Sequence, residues 1–242
     1  MMFGHDFYNG TIRRYVIMFG NIFNEIQVKR FDNAGNKIQT INVPIAYGPK
    51  QRFITRVTAD PTLNRATSIT LPRLGFSMDS MSYNPARKLN SGHRFVKGVN
   101  TGGLDFAGSY SPVPYDFNFS LNLFTKNAED GIQVIEQIVP FFTPDFTVTM
   151  KVLPDLNVNL DIPIELLSVT SDDSYEGSFD DQRVLTWDLD FVVKGYLFGP
   201  VTKNKYINKA TISYFEGLDA TTPDAIQVFS GNSEFEIEET TT

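Results

Sequence analysis

A strict alternation of residue types between positions 115 and 123 is the strongest constraint on the fold of this chain. The segment reads YDFNFSLNL, with apolar or aromatic residues at every odd position and polar residues at every even position. Side chains of a β-strand point alternately to its two faces, so the pattern predicts a strand with one buried face and one wet face. The buried face requires a core, and the wet face is the first place to look for function.

Two helices are predicted around this strand. The first lies within residues 1–24, with Asn9 as its N-cap, and the second covers 128–139, with Asn127 as its N-cap. We expect the odd-numbered face of the 115–123 strand to pack against the second helix. The apolar stripe predicted for that helix consists of Ile132, Ile135, Ile138 and Val139.

Further strand patterns occur along the whole chain. Residues 26–31 and 37–47 flank a turn rich in Asn and Gly and predict a hairpin. Because strands and helices do not alternate as in a doubly wound sheet, the pattern favours an α+β fold. The other predicted strands cover 66–83 (interrupted at Pro72, which suggests an edge strand or a bulge), 146–152, 160–171, 183–198 and 206–214.

Residues 84–114 differ from these strands, because they hold five glycines and three prolines. We expect an extended arm there without regular structure, of the kind that becomes ordered on a partner. The predicted organisation is a single α+β domain over 1–229, which includes this arm, followed by an acidic and disordered tail over 230–242.

Charge is unevenly distributed along the sequence. Residues 1–100 hold 14 Lys and Arg against 5 Asp and Glu, a formal charge of +9, whereas residues 101–242 hold 7 against 23, or −16. Two faces of opposite charge would suit a head-to-tail interface that closes into a ring or extends into a filament. The alternative is that the charges intermix in three dimensions.

The residues offer little for catalysis. There is no cysteine, only two histidines, and no phosphate-binding loop or nucleophile elbow, so no cofactor or metal site is expected. Asp188 and Asp190 share one strand face at about 6.6 Å, which suits glycoside hydrolysis but equally describes the polar half of a strand. A carbohydrate-binding or glycan-degrading β-rich protein is therefore the alternative function.

Membranes and nucleic acids are not expected as partners. No run of about 18 apolar residues predicts a membrane span. The first hundred residues are basic, but they contain no nucleic-acid-binding motif, and the whole chain carries a net charge of −7.

Several stretches together resemble one family, the tail sheath stabiliser or tail terminator of contractile-tailed bacteriophages. The resemblance runs from about residue 3 to about residue 200, and the most specific block covers 110–146. The stretches that carry it are YNGTIRRY (8–15), IQVKR (26–30), VPIAYGPKQRF (43–53), LPRLGF (71–76), SYN (82–84) and YSPVPYDFNFSLNLFTKNAEDGIQVIEQIVPFFTPDF (110–146).

This resemblance implies a virion structural protein without catalytic activity. Its expected fold is a twisted, mostly antiparallel mixed sheet flanked by two or three helices. The expected assembly is a homohexameric ring that caps the tail, contacts the sheath and tube proteins, and joins the neck proteins of the head close to the DNA channel. The protein would be made in the host cytoplasm and located at the top of the tail.

Basic residues with predicted exposure are the candidates for partner contacts in such an assembly. They are Arg13, Arg14, Lys29, Arg30, Arg87, Lys88, Arg94 and Lys97.

Overall fold

The computed structural model describes residues 6–32, 36–58, 70–99, 105–172 and 184–205. Its α-helices are α1 (Thr11–Ile22), α2 (Lys50–Thr58) and α3 (Ala128–Ile138), with short 3-10 helices at Pro85–Arg87 and Val139–Phe141. Its strands are β1 (Gln27–Phe31), β2 (Lys37–Asn42), β3 (Ile45–Tyr47), β4 (Arg73–Tyr83), β5 (Arg94–Val99), β6 (Asp105–Tyr110), β7 (Val113–Thr125), β8 (Asp145–Leu153), β9 (Val158–Asp172), β10 (Leu185–Leu197) and β11 (Thr202–Lys205).

The largest sheet of the described residues has six strands in the order β3-β4-β7-β10-β9-β8. β3 and β4 are parallel, and every other neighbouring pair in this sheet is antiparallel. Two smaller antiparallel sheets consist of β1-β2 and β11-β6-β5. The predicted α+β class, a mostly antiparallel mixed sheet flanked by helices, is confirmed.

The buried face of the central strand β7 forms the middle of the core. Phe117, Phe119, Leu121 and Leu123 are all at most 1% exposed. Helix α3 contacts β7, as predicted, but the aromatic contacts come from α1, which the sequence analysis did not assign to this face. Phe19 stacks on Phe119 with ring centroids 4.6 Å apart, and α1 is thereby fixed over the sheet.

Tyr15 attaches α1 to the sheet by hydrogen bonds as well as by packing. Its hydroxyl donates to the carbonyl oxygen of Tyr196 at 2.9 Å and accepts from the N–H of Tyr196 at 2.8 Å. Burial raises the pKa of Tyr15 to about 12, although the bond to the Tyr196 backbone lowers it. A Cβ at Gly195 would lie 2.7 Å from the Tyr15 ring, so glycine at this position makes room for the tyrosine.

The predicted N-cap of α1 was wrong by one residue. The N-cap is Gly10, whose φ of 64° lies in the left-handed region that glycine adopts without a steric penalty. The amide of Asn9 instead donates to the carbonyl oxygens of Phe198 and Gly199, at 3.1 and 3.0 Å. Asn9 therefore joins the start of α1 to the chain just after β10.

Helix α3 starts where it was predicted, and its buried face matches the predicted stripe only in part, since Ile138 is buried and Ile135 packs against the core. Asn127 occupies the N-cap position without making a side-chain capping bond. Two residues of the predicted stripe, Ile132 and Val139, are 48% and 38% exposed. The buried positions of the helix are Asp130, Gly131, Val134 and Ile138.

Gly131 explains this rotation of α3. The indole of Trp187 lies against the helix at this position, and a Cβ on residue 131 would be only 2.5 Å from Trp187 Nε1. Because glycine has no side chain, α3 turns this position toward the sheet and moves Ile132 outward. A stripe of apolar residues does not reveal such a close approach.

The expectation that residues 84–114 have no regular structure was wrong for the part that is described. β5 and β6 form an antiparallel hairpin, and β11 pairs with the other edge of β6. Phe95 packs on Phe198 with ring centroids 5.6 Å apart, which connects the hairpin to the main core. The domain limits of 1–229 stay a prediction, and the tail over 230–242 lies outside the described residues.

The remaining strand predictions agree closely with the structure. The β1-β2 hairpin is confirmed, and β8, β9 and β10 confirm the strands predicted at 146–152, 160–171 and 183–198. β4 (Arg73–Tyr83) confirms the part of the predicted 66–83 strand that follows Pro72, whereas residues 66–69 lie outside the described residues. The suggestion that Pro72 marks an edge strand was wrong, since β4 lies between β3 and β7. The strand predicted at 206–214 lies outside the described residues.

Candidate functional site

The wet face of the six-stranded sheet carries polar side chains in rows across the strands. One row runs from Ser77 of β4 through Ser120 of β7 and Asp190 of β10 to Ser168 of β9. Asp190 and Ser168 are exposed, and Ser77 and Ser120 are half-buried. This arrangement is typical of an antiparallel sheet with one solvated face.

Three acidic residues of this face, Asp79, Asp188 and Asp190, gather around a cavity of about 520 Å³ beside α2. Lys50 Nζ lies 2.5 Å from Asp188 Oδ2. Asp190 accepts hydrogen bonds from Ser168 at 2.8 Å and from Ser120 at 3.4 Å. Asp79 accepts from Ser77 at 3.0 Å and shares the single proton of the Ser120 hydroxyl with Asp190. The carboxylates therefore have partners within the chain.

Asp188 and Asp190 do share one face and one cavity, as their spacing predicted. Sequence reasoning missed Asp79, which lies at an irregularity in β4 between Met78 and Ser80, and Lys50, which comes from a distant helix. The residues described around the cavity include no aromatic ring, so they provide no stacking platform for a sugar. In the described part of the chain, no group of three or more His, Asp or Glu is placed to hold a metal ion.

Four of the predicted partner-binding residues make side-chain contacts within the chain: Arg14, Arg30, Arg87 and Arg94. Arg14 Nη1 donates to the carbonyl oxygen of Val152 at 2.7 Å. Arg30 pairs with the buried carboxylate of Asp130 at 3.1 Å. Arg87 joins several elements of the fold.

The Arg87 guanidinium pairs with Asp116 and donates to the carbonyl oxygen of Tyr115 at 3.1 Å. It also lies over the ring of Tyr196, 5.2 Å from the centroid. The side chain is half-buried, so it stabilises the junction between β7, β10 and the turn that precedes β5. These contacts give Arg87 a structural role that needs no partner.

Arg94 and the other four predicted residues are exposed. Arg94 stacks on Tyr110, 4.5 Å from the ring centroid, and donates to the Tyr110 hydroxyl at 2.9 Å, whereas the remaining four lie on four different parts of the chain. Their contact with partners stays a prediction. These four residues are Arg13 on α1, Lys29 on β1, Lys88 after the 3-10 turn and Lys97 on β5.

The helical side of the molecule presents an apolar surface that the sequence analysis did not find. Cavities of about 530 and 600 Å³ lie beside the edge strand β8 and share Ile22 and Phe146 in their linings. Ile17 on α1 is 51% exposed and Phe141 after α3 is 66% exposed. Exposed apolar surface of this extent is typical of an interaction site.

None of the helices in the described residues is long and apolar enough to cross a membrane.

Comparison with known proteins shows the family of this chain. The family model for the T4-like virus Myoviridae tail sheath stabiliser matches residues 6–241, which is nearly the whole chain. The chain therefore belongs to this family of phage tail proteins.

A particular relative is tail completion protein gp15 of Enterobacteria phage T4, which is 31% identical to this chain over 235 residues. The match covers 94% of this chain and 85% of the relative. The protein is a structural component of a contractile phage tail, and the resemblance stated from the sequence is confirmed.

Proposed function

We propose that this protein forms a homohexameric ring that caps and stabilises the completed contractile tail. In this proposal the ring contacts the last turn of the sheath and the end of the tube on one side. On its other side it binds the neck proteins of the head. The single observation that carries the proposal is the family match over residues 6–241, since it covers both the core and the surfaces described above.

The distribution of charge on the folded chain supports a ring. Arg13 lies exposed on α1, which covers one side of the sheet, whereas Asp79 and Asp190 lie exposed on the opposite side. These two aspartates are hydrogen-bonded to serines, so their charges are available to a neighbour. Three ion pairs, Arg30–Asp130, Lys50–Asp188 and Arg87–Asp116, show that the basic and acidic parts of the sequence also intermix within the fold. The exposed charges that stay outside these pairs can still meet opposite charges of a neighbour in a heterologous interface that closes.

Attachment to purified tails tests this function. Full-length protein is added to tails that lack it, and stained images and light scattering record where it binds and in what mass. We expect a ring at the head-proximal end and a hexameric mass. Protein that neither associates with itself nor binds sheath or tube would contradict the proposal.

Charge-reversed variants test which basic residues take part. We expect the Arg13→Glu, Lys29→Glu double variant to lose attachment at moderate salt while it unfolds at the same urea concentration as the parent. Lys126→Glu is the matched control, since Lys126 is exposed and outside the predicted set. Equal attachment of all three proteins would remove Arg13 and Lys29 from the interface.

A further inference from the structure

The strand β8 is a free edge in the described part of the chain. It is the last strand of the six-stranded sheet and pairs only with β9 there. At nine residues it is much longer than β3, the three-residue strand at the opposite edge. An edge strand of this length offers unpaired N–H and C=O groups to a further strand.

The side chains around this edge form an apolar groove. We call it the β8 groove and define it by Ile17, Met18, Ile22, Phe141, Phe146 and Val148. Phe146 and Val148 alternate with the exposed Thr147 and Thr149, so one face of β8 lines the groove and the other faces water. Lys151 continues the exposed face at one end of β8 and Arg14 lies at the groove rim there, so both basic side chains are near that end of the edge. The other end of the groove has Glu25 and Glu136 in its lining.

A segment near the end of the chain has the complementary pattern. Residues 234–239 read EFEIEE, so an extended conformation puts Phe235 and Ile237 on one face and glutamates on the other. Between Lys205, where the described residues end, and Phe235 there are 29 residues. A linker of this length reaches up to about 100 Å when extended, which is enough to reach a second copy.

We propose that residues 234–239 of a neighbouring copy pair with the free edge of β8. Phe235 and Ile237 then fill the β8 groove, and the glutamates of the added strand lie beside Lys151 on the exposed face. The inference rests on the proposed function, because a ring brings copies of the chain side by side. Each copy would donate its segment to the next, which produces a closed set of identical contacts.

A peptide tests the docking itself. A labelled peptide of residues 230–242 is titrated against a full-length variant with Phe235→Asp and Ile237→Asp, whose own segment cannot compete. We expect saturable binding that weakens as salt is raised, and no binding of a scrambled peptide. Absence of binding by the native peptide would overturn the inference, whatever the assembly state of the protein.

A variant in the groove and a matched control locate the binding site. Ile17→Glu should raise the Kd of the peptide at least about tenfold. Ile38→Glu should leave binding unchanged, since Ile38 is 68% exposed on β2 and outside the groove. Equal loss in both variants, or loss in neither, would contradict the assignment.

Assembly on tails shows whether the segment comes from a neighbour. We expect the Phe235→Asp, Ile237→Asp protein to bind tails with fewer copies than the parent. If the parent forms rings and the variant forms them equally well, the inference fails while the proposed function stands. If the parent does not attach to tails, the proposed function fails, and the peptide titration still decides the docking.

Discussion

The two faces of the six-stranded sheet share the same strands but carry opposite chemistry. On the covered face, Phe117 and Phe119 of β7 are buried against aromatic rings of α1. On the wet face, Asn118 and Ser120 of the same strand bond to short polar side chains near water. The comparison indicates that the covered face holds the fold together, whereas the wet face is free to change with the partners of the protein.

Substitutions at two adjacent residues of β7 should give the largest difference in the free energy of unfolding between the two faces. Phe119→Ala should lower the free energy of unfolding by about 3–5 kcal/mol, because it removes a ring that stacks on Phe19 and leaves a cavity. The matched control Asn118→Ala removes one exposed hydrogen bond to Ser80 and should cost less than about 1 kcal/mol. Urea unfolding measures both, and equal losses would refute the division between the faces.

Alkaline pH should act on the covered face through Tyr15. Its pKa is raised from 10.0 in the unfolded chain to about 12, so the folded state holds this proton more tightly. The resulting stability is complete below pH 10 and is lost as the pH rises from 10 to 12. The free energy of unfolding should fall by about 2–3 kcal/mol over this pH range.

Tyr15→Phe isolates this effect. The variant should be less stable at neutral pH, because the buried N–H and carbonyl oxygen of Tyr196 lose their partner. Its stability should then fall less steeply between pH 10 and 12 than that of the parent. An unchanged slope would show that other groups cause the alkaline unfolding.

Two glycines distinguish close packing from open space. Gly131→Ala should destabilise the protein by about 1–3 kcal/mol, because the added methyl group overlaps the Trp187 indole. Gly98→Ala on β5 meets nothing within 4 Å and should be neutral or stabilise by up to about 1 kcal/mol. Thermal unfolding compares the two, and similar shifts would disprove the contact between α3 and Trp187.

The smallest change in the free energy of unfolding is expected from a substitution on the wet face. Asp188→Asn breaks the ion pair with Lys50, whose side chains are 27% and 33% exposed, so solvent screening should limit the loss to about 1 kcal/mol or less. A double-mutant cycle with Lys50→Met measures the pair. The Asp188→Asn protein should bind tails as the parent does. If the parent binds a glycan and Asp188→Asn does not, the carbohydrate alternative is favoured instead.

Local patterns in the sequence predicted the elements of the fold well. The alternation in β7 and the hairpin pairing of β1 with β2 depend on residues close together in the chain, and both were found as predicted. The rotation of α3 was missed, since it depends on the distant contact between Gly131 and Trp187. The hairpin within 84–114 was missed because its glycines and prolines hide a pairing that β11 and Phe198 stabilise.

The candidate sites could be predicted only in part. The spacing of Asp188 and Asp190 placed them on one face, but Lys50 and Asp79 come from elements that only the fold brings there. Charge alone could not show that Arg87 pairs with Asp116 within the chain, whereas Lys97 is exposed. The β8 groove is formed by β8, by the 3-10 helix just before it and by α1, which is far from both in the chain, so no linear motif marks it.

The position and copy number of the protein on a purified tail test the central claim most directly. Electron microscopy of tails assembled with and without the full-length protein provides this measurement. We predict additional density of hexameric symmetry at the head-proximal end of the tail, into which the six-stranded sheet fits. The absence of such density, or density elsewhere on the tail, would contradict the account.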